Sequence, residues 1–348
     1  MTKKRFLNGG VLREVKNGRL NGSNKDVEAY AGTENITYTK KIKRSRETFP
    51  YASSQNQKKN LKGFAEFEGM NIAKVIAIDS KQAASDGNPY INYDEDVLGF
   101  MNACNLKLNE DQYNELSDDE KKGFSKKKKE YVKNVTKKRR SNFMLSPLQA
   151  IGDTKIVKEF CTRETDKTSL LYTKEVYSAY MSTGFNFDIS NVGTFTQSTD
   201  ESGFRDYAPN EFDNIELELS NEEKFKRVAV TLRGMQYYNS NICANNNAED
   251  LSAKFIILAD YRIGNNIFNN IFEDNKLKVE YLKEAIDENE EFRISDKIYI
   301  GVRSEFFKQD EKYLKEIVQE VFGQDDRFVV GSVKQVVDGY LQELSKNI

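Results

Sequence analysis

The 348-residue chain contains no histidine and no tryptophan. Without histidine it cannot build a Ser-His-Asp or Cys-His catalytic arrangement, nor a zinc site with imidazole ligands. Its three cysteines, Cys104, Cys161 and Cys243, are far apart and form no CxxC pair, which argues against structural zinc. Scattered cysteines of this kind are typical of reduced, buried thiols in a cytoplasmic protein.

The sequence also lacks an apolar run of about 18 residues, which a transmembrane helix requires. Its start, MTKKRFLNGGVL, has no apolar segment long enough for a signal peptide. We therefore expect a soluble cytoplasmic protein with no membrane partner. No Walker A or Rossmann fingerprint occurs, and no carboxylate spacing indicates catalysis, so we expect no enzymatic activity, cofactor or metal site.

Positive charge is concentrated in two segments, although the net charge of the chain is only −2. Residues 1–62 contain fifteen Lys and Arg against five Asp and Glu, and residues 121–140 contain eleven against one. Residues 273–348 are acidic, with twelve against eighteen. This distribution predicts a nucleic-acid-binding face on one side and a solvated or protein-facing surface elsewhere.

Hydrophobic periodicity predicts an α+β fold, in the strand–helix–strands–helix–strand order of ferredoxin-like RNA-recognition domains. The predicted strands are residues 6–15, 173–195, 253–263 and 297–302, and the predicted helices are residues 55–67, 222–238, 277–288, 310–322 and 332–344. Residues 36–51 alternate well enough to form a strand or a hairpin arm. Residues 108–140 are almost entirely charged and predict a mobile surface insertion.

The segment TFPYASSQNQKKNLKGF, residues 48–64, combines a helix start with lysines. Ser53 or Ser54 can cap the helix, and Ser54 with Gln57 has the spacing of a capping box. Lys58 and Lys62 lie on one face, where two like charges are slightly unfavourable unless an anion neutralises them. Because N–H groups at a helix start attract anions, this segment is either a capped surface helix or a phosphate-binding site.

Four other segments have both a structural and a functional interpretation. The run KKKKEYVKNVTKKRRSNF is either a solvated surface or a basic flap that clamps a nucleic-acid backbone. In GFRDY, Phe204 beside Arg205 either stacks on a base or forms a small cluster. YRIGNNIF, residues 261–268, is either a turn or an RNA contact through its asparagines. The acidic cluster in YDEDVLGFM is explained by the first turn of a helix.

Together these segments resemble the DevR-like backbone subunits of type I CRISPR Cascade complexes, of the I-B kind. The resemblance extends over nearly the whole chain. The segments that carry it are GTENITYTKKIKRSRETFPYASSQNQKKNLKGF, YINYDEDVLGFM, RRSNFMLSPLQAIG, EVYSAYMSTGFNFDISNVGTF and AKFIILADYRIGNNIF. It implies a ferredoxin-like (RRM-like) palm of residues 1–70 and 171–348, a large finger insertion of residues 71–170 and a thumb hairpin of residues 194–221.

The resemblance further implies that several copies bind along the spacer of one CRISPR RNA and support its pairing with target DNA. The implied partners are CRISPR RNA, target DNA, copies of the chain itself and the large, small and 5′-handle-binding Cascade subunits. The implied RNA-binding residues are Ser53, Ser54, Gln55, Lys58 and Lys59, together with Lys40, Lys41, Lys43, Arg44, Arg139, Arg140, Phe204, Arg205, Arg262 and Asn265. The chain departs from the family pattern at Ser54, where glycine is common, and at the lysine pair, where arginines are usual. Lysine binds phosphate without the bidentate fork of arginine.

Two alternatives remain. Related type III backbone subunits cut RNA with an aspartate in the first palm loop, and Asp26 lies in the equivalent loop, so one alternative is a metal-dependent endoribonuclease. The other is a stand-alone RNA-binding regulator. A subunit that displays guide bases must hold phosphates and sugars and leave the base edges free. The sequence shows no paired-aromatic signature of a base-reading RNA-recognition motif.

Overall fold

The computed structural model describes residues 4–23, 36–77, 83–85, 87–118, 121–195, 218–238 and 249–347. The chain forms two compact units. The first unit contains residues 1–67, 143–190 and 228–348, and the second contains residues 68–142 and 191–227. The division into palm, finger and thumb stays a prediction.

The elements up to residue 67 belong to the first unit, and those from residue 68 to residue 142 belong to the second unit. Up to residue 67 they are β1 (Phe6–Gly18), β2 (Gly22–Ser23), β3 (Ile36–Thr39), β4 (Lys41–Arg44), β5 (Glu47–Ala52) and α1 (Ser54–Phe67). Up to residue 142 they are β6 (Ile76–Ala77), β7 (Ala83–Ala84), α2 (Tyr93–Val97), β8 (Phe100–Leu108), α3 (Glu110–Asn114), β9 (Ser125–Lys127) and β10 (Glu130–Arg139).

The remaining elements complete the chain. Up to residue 261 they are β11 (Phe143–Leu145), β12 (Leu148–Ala150), β13 (Ile156–Glu164), β14 (Ser169–Asp188), α4 (Asn221–Tyr237) and β15 (Phe255–Tyr261). After it they are β16 (Phe272–Glu273), β17 (Lys276–Leu277), α5 (Val279–Asp287), β18 (Ile298–Val302), β19 (Lys308–Gln309), β20 (Lys312–Tyr313), α6 (Leu314–Phe322), β21 (Phe328–Gly331) and α7 (Val333–Leu344).

The first unit is built around one large mixed sheet. Eight of its described strands follow the order β21-β18-β15-β1-β14-β12-β5-β4, and β2, β3, β11 and β13 join beside this path. β1 lies inside the sheet, antiparallel to both β14 and β15. The pairs β18–β21 and β14–β3 are parallel. The sheet therefore brings the first strand of the chain against strands from its middle and its C-terminal third.

Apolar side chains bury the centre of this sheet. Every residue of β15 and β18 is buried, which accounts for their continuous apolar sequences. Helix α7 lies close to β18, because a Cβ atom added at Gly301 would be 2.5 Å from Cγ2 of Val336. Leu282 of α5 and Val318 of α6 are fully buried in the same core. The amphipathic C-terminal helices thus pack their apolar faces onto the sheet.

The structure confirms the α+β class and the long predicted strands and helices, with shifted ends. The predicted helix over residues 310–322 begins at Leu314, because β19 and β20 form a short hairpin before it. The strands β13 and β21 are among those that were not predicted. The prediction of a mobile insertion over residues 108–140 is wrong for the part that forms strands. Strands β8 and β10 form an antiparallel ribbon, in which Phe100 pairs with Arg139 at one end and Leu108 pairs with Tyr131 at the other. The ferredoxin-like order of the palm stays a prediction.

Candidate nucleic-acid interface

Ser53 caps the N-terminus of α1. Its Oγ accepts a hydrogen bond from the backbone N–H of Asn56 at 3.3 Å, and its carbonyl accepts the N–H of Gln57 at 3.1 Å. Asn21 Nδ2 also donates to Ser53 Oγ, at 3.2 Å. The predicted Ser54–Gln57 capping box is wrong, because Gln57 is buried and its Nε2 donates to the carbonyl of Ser146 at 2.8 Å. The structure therefore assigns the cap to the first of the two serines.

The residues after the cap present polar groups at the open end of the helix. The first intrahelical bond starts at Gln57, so the N–H groups of Ser54 and Gln55 precede it. The first turn contains no acidic residue. Gln55 and Lys59 are exposed. Such a helix start favours an anion through its N–H groups, its dipole and its lysines.

Lys58 has a perturbed titration in this first part of α1. Partial burial lowers the pKa of its ammonium group to about 8, and the charge of Lys62 adds to the shift. The charged form of Lys58 is therefore less stable than that of an exposed lysine. A phosphate nearby would reverse the shift, because an opposite charge favours the ammonium form.

The β4–β5 hairpin supplies further cations in the first unit. Lys43 and Arg44 are exposed, and the Arg44 guanidinium lies 5.3 Å from the centre of the Phe49 ring. Lys41 is used inside the chain instead, since its Nζ lies 3.1 Å from Glu175 Oε1. Lys40 is half-buried, and its carbonyl accepts from the N–H of Tyr51. Of the four predicted residues here, the two at the hairpin tip are the most accessible.

The loop after β15 holds two further predicted residues. Arg262 and Asn265 are exposed on it. The Arg262 side chain donates through Nη2 to the carbonyl of Glu291 at 2.5 Å, which fixes the guanidinium. Gly264 lies against Phe6, since an added Cβ would be 3.2 Å from Cε1 of that ring. The loop is therefore held at two points, by the hydrogen bond of Arg262 and by the packing of Gly264 against Phe6.

The remaining predicted residues differ in accessibility. Arg140 is exposed, whereas Arg139 is buried in the second unit. Arg139 Nη2 lies 2.7 Å from Asp96 Oδ1 and 2.6 Å from the carbonyl of Asn191. Its guanidinium also lies 4.8 Å from the centre of the Phe195 ring. Arg139 thus makes several internal contacts, and its role in RNA binding stays a prediction. Phe204, Arg205 and Asp26 lie outside the described residues.

The acidic cluster after residue 92 is part of this internal network, which sequence reasoning missed. Asp96 is fully buried and also pairs with Arg227, whose Nη1 lies 2.8 Å from Asp96 Oδ2. The N–H of Gly193 donates to the same oxygen at 3.0 Å. Glu95 accepts from the N–H groups of Gly87 and Asn88, at 2.7 and 2.6 Å. The prediction of an acidic first turn of a helix is confirmed, because Asp94, Glu95 and Asp96 lie in the first turn of α2. The sequence did not show that these carboxylates also satisfy buried donors.

The lysine-rich run belongs to the ribbon of β8, β9 and β10. Every side chain of β9 is exposed, and Lys126 pairs with Glu110 at 3.0 Å on the surface. Neither the solvated-surface interpretation nor the flap interpretation is tested by these contacts. Across the described parts of the chain, no cluster of three metal-ligating side chains occurs. No helix in those same parts is long and apolar enough to cross a membrane.

Comparisons with known proteins give a likeness of fold. The sequence matches no protein-family model and no curated protein. A chain of the solved structure "CRISPR RNA-guided surveillance complex, pre-nicking" aligns with a TM-score of 0.50 and 8% identity, over 97% of this chain and 99% of that chain. A chain of "CRISPR RNA-guided surveillance complex" aligns over the same shares with a TM-score of 0.48 and 10% identity. The first likeness indicates a similar fold along nearly the whole of both chains.

Proposed function

We propose that this chain is a CRISPR RNA-binding backbone subunit of a type I Cascade effector complex, DevR-like and of the I-B kind. Several copies bind along the spacer of the guide RNA and support its pairing with target DNA. The large, small and 5′-handle-binding subunits complete the complex. The first unit corresponds to a ferredoxin-like palm, and the chain acts in the cytoplasm without catalysis.

The observation that carries this proposal is the start of α1. Its N–H groups, the exposed Gln55 and Lys59 and the half-buried Lys58 form one anion-attracting end, with no carboxylate in the first turn. Lys43 and Arg44 add positive charge in the same unit. These groups suit phosphate and sugar, because lysines and N–H groups hold a backbone without reading its sequence. A guide-presenting subunit needs this kind of contact, since the bases must stay free for pairing.

The fold likeness supports the same assignment. The neighbour with the TM-score of 0.50 belongs to an RNA-guided surveillance complex, as its description states. A chain that shares this fold over nearly its full length and has a basic helix start is suited to the same class of task. The likeness supports the fold, and the helix start supplies the chemistry.

The test is a charge reversal at α1. Lys58→Glu with Lys59→Glu should weaken binding of single-stranded RNA uniformly over sequences. For two lost phosphate contacts, the slope of log affinity against log salt should fall by about 1.4, since each contact on a single strand contributes about 0.7. The matched control reverses two helix lysines of the acidic C-terminal third, Lys283→Glu with Lys315→Glu. An unchanged slope in the α1 variant would overturn the site.

The endoribonuclease alternative depends on Asp26, which lies outside the described residues. We expect the wild-type chain and Asp26→Ala to leave RNA intact in the presence of Mg²⁺ or Mn²⁺. Metal-dependent cleavage that is lost in Asp26→Ala would replace the binding proposal with catalysis. Cleavage that persists in the variant would point to a contaminating nuclease.

A further inference from the structure

A polar cleft of about 480 Å³ opens in the first unit. The β4–β5 hairpin, the β12 region, Ser182 of β14 and residues 269–281 line it. Its volume falls within the range of about 300–1,000 Å³ that is usual for small-molecule sites. Three segments that carry the family resemblance, residues 32–64, 139–152 and 175–195, contribute lining residues to the cleft, but Arg44 is the one predicted RNA-binding residue among these lining residues.

The polar side chains of the cleft are not used by the fold. Within the described ranges, the side chains of Gln149, Ser182, Asn269 and Asn270 have no hydrogen-bond partner. A second charged cleft of the same unit differs, because its Asp250 is engaged by Lys254 at 2.5 Å and by Arg303 at 2.6 Å. Amide groups that face an open cleft without a partner offer donors and acceptors to a ligand.

An aromatic ring stands beside these amides. Tyr281 is 40% exposed, and the Lys278 ammonium lies 4.5 Å from its ring centre. The lining charges nearly cancel, because Arg44 and Lys278 face Glu47, Glu273 and Asp274. A cleft with near-zero net charge suits an uncharged group better than a phosphate. Amides together with an exposed aromatic ring are the groups that recognise an unpaired nucleobase.

The cleft borders the start of α1. Ser146 lines the cleft, and its carbonyl accepts from Gln57 Nε2 in the first turn of that helix at 2.8 Å. Both belong to the first unit. The first turn of α1 and the cleft therefore share a wall at Ser146. The basic helix start suits the charged part of a nucleotide, and the cleft suits the uncharged part.

We infer that this cleft binds one unpaired base of a single-stranded RNA. Tyr281 stacks on the base, and the amides of Gln149 and Asn270 bond to its edge. This inference builds on the proposed RNA contact at α1, but it does not require several copies on one RNA. It adds a base-holding site to a chain whose other proposed contacts concern the backbone alone.

Photo-crosslinking tests the inference. Single-stranded RNA containing 4-thiouridine is irradiated with the full chain, and the modified peptides are mapped by mass spectrometry. We expect a crosslink within residues 269–281, which disappears when the same RNA is annealed into a duplex. Tyr281→Ala should lower both crosslink yield and affinity about tenfold, since stacking on one base has that magnitude. Tyr281→Phe should retain both, and Tyr172→Ala, an exposed tyrosine outside the cleft, is the matched control.

Two further experiments distinguish the cleft from the α1 site, and RNA from a free nucleotide as the ligand. With Lys58→Glu and Lys59→Glu, the overall affinity falls, but the crosslink within residues 269–281 should return at saturating RNA. That result keeps the cleft even if the α1 assignment fails. A crosslink with 4-thiouridine monophosphate alone would identify a free nucleotide as an occupant with the same base chemistry. No crosslink in this segment with either probe, or equal effects of Tyr281→Ala and Tyr172→Ala, would overturn the inference.

Discussion

The two adjacent serines at the start of α1 have different hydrogen-bond environments. Ser53 Oγ is engaged by Asn56 and Asn21, whereas Ser54 follows it at the open end of the helix. We predict that Ser53→Ala lowers the free energy of unfolding by about 1 kcal/mol, the usual contribution of a cap. Ser54→Ala should change it by less than about 0.5 kcal/mol and weaken RNA binding. Urea unfolding and RNA titration of both variants check this, and a larger stability loss in Ser54→Ala would reverse the two roles.

Under the proposed function, the lowered pKa of Lys58, about 8, should make RNA binding depend on pH. The free chain loses the proton of Lys58 as the pH rises through about 8, whereas a bound phosphate holds the proton to higher pH. Affinity should therefore be greatest below pH 8 and decline between pH 8 and 9.5. Fluorescence anisotropy at constant ionic strength measures this decline.

The control for this pH dependence is Lys58→Arg. Arginine stays protonated over the whole range, so its variant should bind RNA with little change between pH 7 and 9.5. An equal decline in the wild-type chain and in Lys58→Arg would assign the effect to another group. A wild-type affinity that does not change with pH would remove Lys58 from the phosphate contact.

At the scale of elements, α2 is held in the second unit by its buried aspartate. Asp96 lies between Arg139 and Arg227, and the side chains of all three are at most 2% exposed. Asp96→Asn should lower stability by about 3–5 kcal/mol, because it leaves two guanidinium groups in the interior without a full counter-charge. Limited proteolysis within residues 68–142, followed against denaturant, measures the loss.

The matched control for Asp96 is its more accessible neighbour in the network. Glu223 pairs with Arg227 through a 3.2 Å contact, but its side chain is 34% exposed. Glu223→Gln should therefore change stability by less than about 1 kcal/mol. If Asp96→Asn and Glu223→Gln are cleaved equally at each denaturant concentration, Asp96 contributes no more to the stability of this unit than Glu223 does.

Local patterns predicted the elements whose burial is regular along the chain. The apolar run of β15 and the periodic apolar residues of α7 could be recognised from the sequence, because β15 is buried on both faces and α7 is buried along one face. The ribbon of β8 and β10 escaped prediction, since its charged sequence favours solvent and its pairing joins Leu108 to Tyr131 across many residues. The role of Asp96 escaped for the same reason: Arg227 is 131 residues away.

The molecule as a whole should bind RNA in several copies. Under the proposed function, the mass of the complex rises in steps as the single-stranded RNA is lengthened, and each step equals one chain of 40.1 kDa. Size-exclusion chromatography with light scattering measures these steps. One chain per RNA of spacer length would favour the stand-alone regulator, and duplex RNA of equal length is the control.

Only the part of the candidate site that is contiguous in the sequence could be predicted. The helix start and its lysines are contiguous in sequence, so Ser53, Gln55 and Lys58 were identifiable without coordinates. The cleft at Tyr281 was not, because Arg44, Gln149 and Ser182 reach it from three different strands. Sites built by one segment are visible in the sequence, and sites built by the sheet order are not.

The central position of β1 has a consequence for biosynthesis. Phe6 pairs with Asp188 on one side and Tyr261 on the other, so β1 is synthesised long before either of its partner strands. At about 5–20 residues per second, the ribosome needs on the order of ten seconds to a minute to supply both. During that interval β1 lacks both of its partner strands, and its apolar residues are exposed to association with other chains. Fragments that stop before β15 should aggregate when they are produced.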